Sequence, residues 1–226
     1  NLHQQHGLTI ANVFLEEKNV TTAQAYVALD NSIPLRKLRN LKKYPDIITD
    51  EQGEASTRKM MERMWFYNHF GSLDSKNLVS KLRYFAKVCK VDFINLDHIS
   101  IVTSGIESGS EGERKDIDIL MTRLSSLASE TGVGINAVVH LKRVSGKEFN
   151  EGGQVSLSDL RGSAALEQLA WNVVALERNQ QADDDTKDQS TIRVLKCRET
   201  GDTGAADTLN YNRSTGWLEV ASMPAL

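Results

Sequence analysis

The chain has 226 residues, 40% of them hydrophobic and 25% charged, with a formal net charge of −3. That length is enough to bury a core in one domain of the larger kind, and the composition is that of an ordinary soluble globular protein. The balance excludes a uniformly basic nucleic-acid binder, so any basic footprint must be local.

Cys89 and Cys197 lie far apart and in no metal-like spacing. This suits a reducing cytoplasm, with free thiols expected rather than a disulfide. No apolar run approaches the ~18 residues that span a bilayer, so no membrane association is expected. The opening NLHQQHGLTI has neither a starting Met nor a signal pattern. It reads as the tail of a helix entering a strand, and the chain is expected to be a piece of a longer protein.

Short β-rich runs alternate with helical patterns, which predicts an α/β fold with a mainly parallel sheet. The first strand is expected at 8–15 (LTIANVFL), followed by a helix capped at Thr21 or Thr22 that carries Ala25, Val27, Ala28 and Leu29. The charged stretch 31–57, with Pro34 and Pro45, reads as short helices and loops. A second strand is expected at 65–69. Leu78, Val79, Leu82, Phe85, Ala86 and Cys89 then recur at three and four residues, giving a helix over 74–88. A third strand (DFINL, 92–96) ends at Asp97. A Gly/Ser/Glu loop leads into an amphipathic helix with Ile117, Leu120, Met121, Leu124, Leu127 and Ala128 inward. A fourth strand, 134–139, ends at His140. Beyond a flexible polar segment at 141–153 come a short helix near 158–169 and strands at 171–176, 190–198, 206–211 and 216–220. No repeat or linker interrupts what reads as one domain, residues 1–226.

Ligands of open α/β sheets gather beyond the carboxyl ends of the strands. The polar residues there are Glu16 and Glu17, Asp97 and His98, and His140, with Lys196 and Arg198 closing the last long strand. An aspartate after an apolar strand holds a nucleotide's Mg²⁺ through water, or else caps the next turn. A glutamate after another strand deprotonates a water, or else belongs to a solvated loop. His140 senses bound phosphate or pairs with backbone. Lys196 and Arg198, two apart, share a side of their strand. They face an anion such as a neighbouring subunit's triphosphate, or protect an exposed edge. Lys142, Arg143 and Lys147 lie among glycines, in a loop suited to following a single-stranded backbone or to plain solvent exposure.

Taken in order, INLDHISIV, VVHLKR, SLSDLRGSAALEQLAWNVVALERNQQ, RVLKCRETGDTG and LNYNRSTGWLE closely resemble the helicase half of the T-odd phage primase–helicases. These belong to the DnaB and Twinkle superfamily of ring-shaped motors. The resemblance is strongest over 93–219 and continues upstream at ANVFLEE; residues 35–71 carry no recognised motif. It implies a RecA-like P-loop NTPase core, a twisted, mainly parallel sheet flanked by helices, with antiparallel strands at the C-terminal end. Residue by residue it implies Glu16 as catalytic base with Glu17 the alternate, Asp97 as the Walker B ligand of Mg²⁺, and His140 as γ-phosphate sensor. Arg198 takes the place of an arginine finger acting in trans, with Lys196 beside it. Arg178 and Tyr211 match the pair that sandwiches the nucleotide base. Lys142, Arg143 and Lys147 fall in the DNA-binding loop.

The GxxxxGK[ST] phosphate loop is not present before Leu8, and the chain is expected to begin just downstream of it. The resemblance implies NTP hydrolysis (ATP or dTTP), 5′ to 3′ movement on single-stranded DNA and duplex unwinding by a homo-hexameric or heptameric ring. A replicative polymerase is a further partner, and the host cytoplasm the location. The competing readings are a RecA/RadA- or KaiC-like ATPase that does not unwind, and a non-hydrolysing binding subunit. On its own, this piece is expected to turn over little nucleotide.

Overall fold

The computed structural model describes residues 6–69, 75–100, 110–142, 149–161, 164–183 and 186–221. They form two compact units, one drawn from 1–27, 48–140 and 161–169, the other from 28–47, 141–160 and 170–226.

The first unit is built on four parallel strands, β1 (Ile10–Phe14), β2 (Met64–Phe66), β3 (Phe93–Asp97) and β4 (Gly134–Ala137), in the order β2-β1-β3-β4. β1 is paired on both edges, and packing against the sheet leaves its residues Ile10 to Val13 at most 7% exposed. Its inward Ala11 and Val13 join Ile94 and Leu96 of β3 in the core. The helix at Ser75–Lys87 contributes Leu78, Val79, Leu82 and Phe85, and the helix at Ser110–Thr131 adds Ile117, Leu120, Met121, Leu124 and Leu127. These are the faces read from the sequence spacing. The second of these helices stops at Gly132, whose positive φ of 75° suits a glycine and whose N–H returns to the carbonyl of Ala128.

Opposite each other in register, Asn12, Asn95 and Asn136 link β1, β3 and β4 side chain to side chain. Asn136 donates to Asn95 at 3.1 Å and Asn95 to Asn12 at 3.0 Å. Gly134 pairs with Phe93, and a Cβ there would sit 2.4 Å from the ring, so β4 enters the sheet on a residue without a side chain.

Four further helices lie among the described residues. With the two core helices numbered in chain order as α4 and α5, the others are α1 (Asn19–Asp30), α2 (Leu35–Leu38), α3 (Asp50–Arg63) and α6 (Ala164–Leu169). α1 begins two residues before the expected cap, and Thr22 sits inside it, donating to Glu17 at 2.6 Å. α3 corrects the expectation of short helices and loops. It runs 14 residues from a capping box in which Thr49 and Gln52 exchange bonds. The helix expected over 158–169 is interrupted: a 3-10 turn at Leu157–Asp159 is followed by the Leu160–Leu141 bridge before α6. A second capping box, Ser156 with Asp159, holds that turn.

The second unit carries an antiparallel sheet in chain order, β5 (Asn172–Glu177), β6 (Gln189–Cys197), β7 (Gly204–Tyr211) and β8 (Leu218–Val220). β6 pairs with β5 on one side and, from Gln189 to Val194, with β7 on the other, so it is an inner strand of the sheet, although the β7 ladder ends before Lys196. Glu177 and Arg193 form an ion pair at 2.8 Å, and Val155 N–H also donates to Glu177. Burial pushes the Glu177 carboxyl up, but these bonds outweigh it and hold it below its ordinary value. Among the described residues, no helix is long and apolar enough to cross a membrane.

Candidate active site

Three strand ends in the first unit bring together residues far apart in sequence. Leu15 N–H donates to the Asp97 carbonyl, Val138 N–H to Leu96, and Ile99 N–H to Val138, which carries the pairing of β1, β3 and β4 past their last ladder residues. Glu16, Asp97, His98 and His140 therefore emerge at one end of one sheet. This is where the strand-end rule places a ligand.

Glu16 is half exposed and reaches back, so that its Oε1 lies 3.0 Å from Nε2 of His98. The ring of His98 is buried and packs against that of His140, centroids 3.9 Å apart and planes inclined by 31°. Glu17 is occupied elsewhere, accepting the Thr22 hydroxyl, which leaves Glu16 as the acid facing the other strand ends. Asp97 is half-buried and precedes His98 through a cis peptide. His140 is exposed on its ring, while its carbonyl accepts the N–H of Arg161 at 2.8 Å.

The donor set separates two kinds of metal. Glu16, His98 and His140 offer one carboxylate oxygen and two imidazole nitrogens within 4.8 Å of one another, a mixture that suits a borderline ion such as zinc. Mg²⁺ takes oxygen ligands and keeps several waters. Asp97, with a carboxylate at the strand end, fits it, as does the carboxylate of Glu16.

The expected residues Arg178, Tyr211, Lys196, Arg198 and Lys142 lie in the second unit and are held by partners there. Arg178 donates from Nε to the Lys187 carbonyl at 2.7 Å and from Nη2 to Asp188 at 3.2 Å. Tyr211 N–H donates to the carbonyl of the same Asp188. Asp188 thus anchors both members of the expected base-binding pair. Arg213 also binds its carboxylate and, as the largest influence, holds that carboxyl below its ordinary value. Lys196 Nζ donates to the Ala170 carbonyl at 2.9 Å. Arg198 N–H bonds the Trp171 carbonyl, and its guanidinium stands 5.3 Å from the centre of the Trp171 ring.

Lys142 donates through its backbone to Asp159 and through Nζ to Ser158, at 2.7 and 2.9 Å. Arg143 and Lys147 lie outside the described residues. Sequence reasoning assigned no part to His98, Asp188, Arg213 or Trp171. His98 was visible as a polar residue past a strand end. The other three act as anchors, and no local spacing marks an anchor whose partner is ten or more residues away.

This architecture, parallel strands flanked by helices with an antiparallel sheet at the C-terminal end, is that of the RecA-like ATPases. Residues 1–217 match the model of the DnaB-like helicase C terminal domain, and the chain belongs to that family. Among curated proteins it is 41% identical over 219 residues to a DNA helicase/primase of Enterobacteria phage T3. That alignment takes in 96% of this chain and 38% of the phage protein, so the chain spans well under half of that relative's length.

Among solved structures it resembles an ATPase domain, with a TM-score of 0.75 at 18% identity over 95% of this chain and 75% of that one. It also resembles a DnaB-like replicative helicase studied for its interactions with primase, with a TM-score of 0.77 at 17% identity over 95% and 52%. A KaiC-like protein from Pyrococcus horikoshii matches with a TM-score of 0.61 at 14% identity over 97% and 78%. At these identities the likenesses establish the fold alone. The family match separates a helicase from a KaiC-like protein.

Proposed function

We propose that this chain is the motor part of an NTP-driven replicative DNA helicase, working as a homo-hexameric or heptameric ring on single-stranded DNA in the host cytoplasm. The observation that carries the reading is the convergence of Glu16, Asp97 and His140 at the ends of three adjacent parallel strands, in a chain of the DnaB-like family.

Glu16 accepts a proton from the attacking water, for which its half-exposed carboxylate is accessible. His140 donates a hydrogen bond to the γ-phosphate, and its position at the start of the 141–153 segment lets phosphate occupancy set the placement of Lys142, Arg143 and Lys147 on DNA. Asp97 would hold the Mg²⁺ that accompanies the nucleotide, and an ion bound there would supply positive charge against the phosphates of ATP or dTTP. Arg178 and Tyr211 grip the base by its faces, which permits loose nucleotide selectivity. Arg198, with Lys196 beside it, completes a neighbouring subunit's site, so that hydrolysis depends on assembly. Movement is 5′ to 3′, and a replicative polymerase is the further partner we assign.

The test is Glu16→Gln in the full-length protein. Hydrolysis and unwinding of a forked duplex are expected to fall by about 10²–10⁴-fold, with nucleotide binding retained. Hydrolysis at the parent rate would overturn the assignment of the base.

A further inference from the structure

The proposed mechanism leaves one residue of the strand-end group without work. His98 is 5% exposed, enclosed where an apolar side chain would ordinarily be favoured. Its Nε2 approaches Glu16 to 3.0 Å, but off the line a ring N–H requires, and neither ring nitrogen has a hydrogen-bond partner among the described residues. A buried imidazole without partners weakens the fold relative to a phenyl or isobutyl group of similar size. Hydrogen bonding among the described residues therefore does not account for this histidine.

Its two contacts do. One edge of the ring meets the carboxylate of Glu16, and one face lies on His140. Both neighbours are exposed and reach the solvent side, whereas His98 is fixed from behind by Asp97 in β3 and by Ile99, whose N–H is bonded to Val138. A displacement of the His140 ring changes the surface against which His98 rests. That in turn alters the separation of Nε2 from Glu16.

We propose that His98 is a positioning residue that couples the two, so that Glu16 is aimed at the attacking water only while His140 is seated on phosphate. The proposal rests on the reading of Glu16 as base and His140 as sensor. A misdirected base still binds no less nucleotide, so the effect falls on turnover rather than on affinity.

The experiment uses the full-length protein with His98→Phe, which keeps a buried ring against His140 and removes the nitrogen facing Glu16. Expected is a fall in kcat of about ten- to a hundredfold, with KM for NTP and nucleotide affinity within about threefold of the parent. In a His140→Ala background the same substitution is expected to cost less than about threefold, because the link is already broken. His98→Gln, which restores a polar donor toward Glu16 without the ring, is expected to recover part of the lost kcat but not its stimulation by single-stranded DNA.

An unchanged kcat in His98→Phe overturns the proposal. So does an equal loss in both backgrounds, which marks mere packing. Should His98→Phe fail to melt cooperatively, His98→Gln decides alone: parent-like stimulation by DNA overturns the coupling. Glu16→Gln run alongside separates the two failures, since full hydrolysis there removes the base assignment whatever His98 does.

Discussion

The two units hold their polar groups in opposite ways. In the parallel unit, Asp97 ends its strand and Glu16, His98 and His140 lie just past theirs, and backbone pairing alone brings them together. Their side chains are left with few bonds of their own. In the antiparallel unit, Arg178, Lys196 and Arg198 are each tied to Asp188, Ala170 or Trp171. Strand ends deliver a group whose side chain remains available for chemistry, whereas strand faces and turns need a second residue to aim a long cation. The cost of aiming Arg178 is visible in the Asp188 cluster, where two guanidinium groups share one carboxylate.

That contrast is most sharply tested at Arg198. Arg198→Ala is expected to leave nucleotide binding largely intact and to lower hydrolysis by about 10³-fold or more, measured as steady-state turnover in the assembled protein. An unchanged rate per subunit would show that the aimed cation serves only the antiparallel sheet.

Leu82→Ala probes the other side of the comparison. Leu82 is fully buried in the parallel unit's core, and its truncation is expected to cost about 2–5 kcal/mol in urea unfolding. Because the strand ends depend on that sheet and not on side-chain anchors, activity should fall with the folded fraction and not ahead of it.

The smallest effect concerns Glu177, whose carboxyl is held low in the folded state. Its contribution is present above the ordinary glutamate value of about 4.3 and is lost as pH falls through the lower folded value. Glu177→Gln is expected to cost about 1–3 kcal/mol at neutral pH and to flatten the acid limb of the melting curve. A limb as steep as the parent's would place the acid sensitivity at other carboxylates, Asp188 first.

The fold class and the strand-end residues were legible in the sequence because both follow from periodicity: apolar runs mark strands, and the next polar residue marks the ligand edge. α3 was not. Its sequence DEQGEASTRKMMER has few apolar residues and an internal glycine, so no apolar stripe announces it, and the Thr49–Gln52 capping signal is its one local mark. The break at Leu160 was hidden for another reason, since the bridge to Leu141 is a tertiary contact that overrides a helical pattern. For Lys196 and Arg198 the sequence left an anion partner and a protected edge equally open, because basic residues two apart do not reveal which strands flank them. The parts of Arg178 and Tyr211 came from resemblance, and their shared anchor at Asp188 from geometry alone.

The row of asparagines across β1, β3 and β4 acts as a levelling line for the chemistry above it. Asn12 stands four residues before Glu16, Asn136 four before His140, and Asn95 three before His98. Apolar neighbours tolerate a small axial slide, but an amide-to-amide bond of 3.0 Å does not, and a slip of one residue would displace a strand's payload by about 3.3 Å and turn it to the other face. The row therefore fixes the heights of Glu16, His140 and the His98 ring between them against a common mark, at one remove from any of them. A drift in those heights would keep every residue in the chain and yet part them at the site.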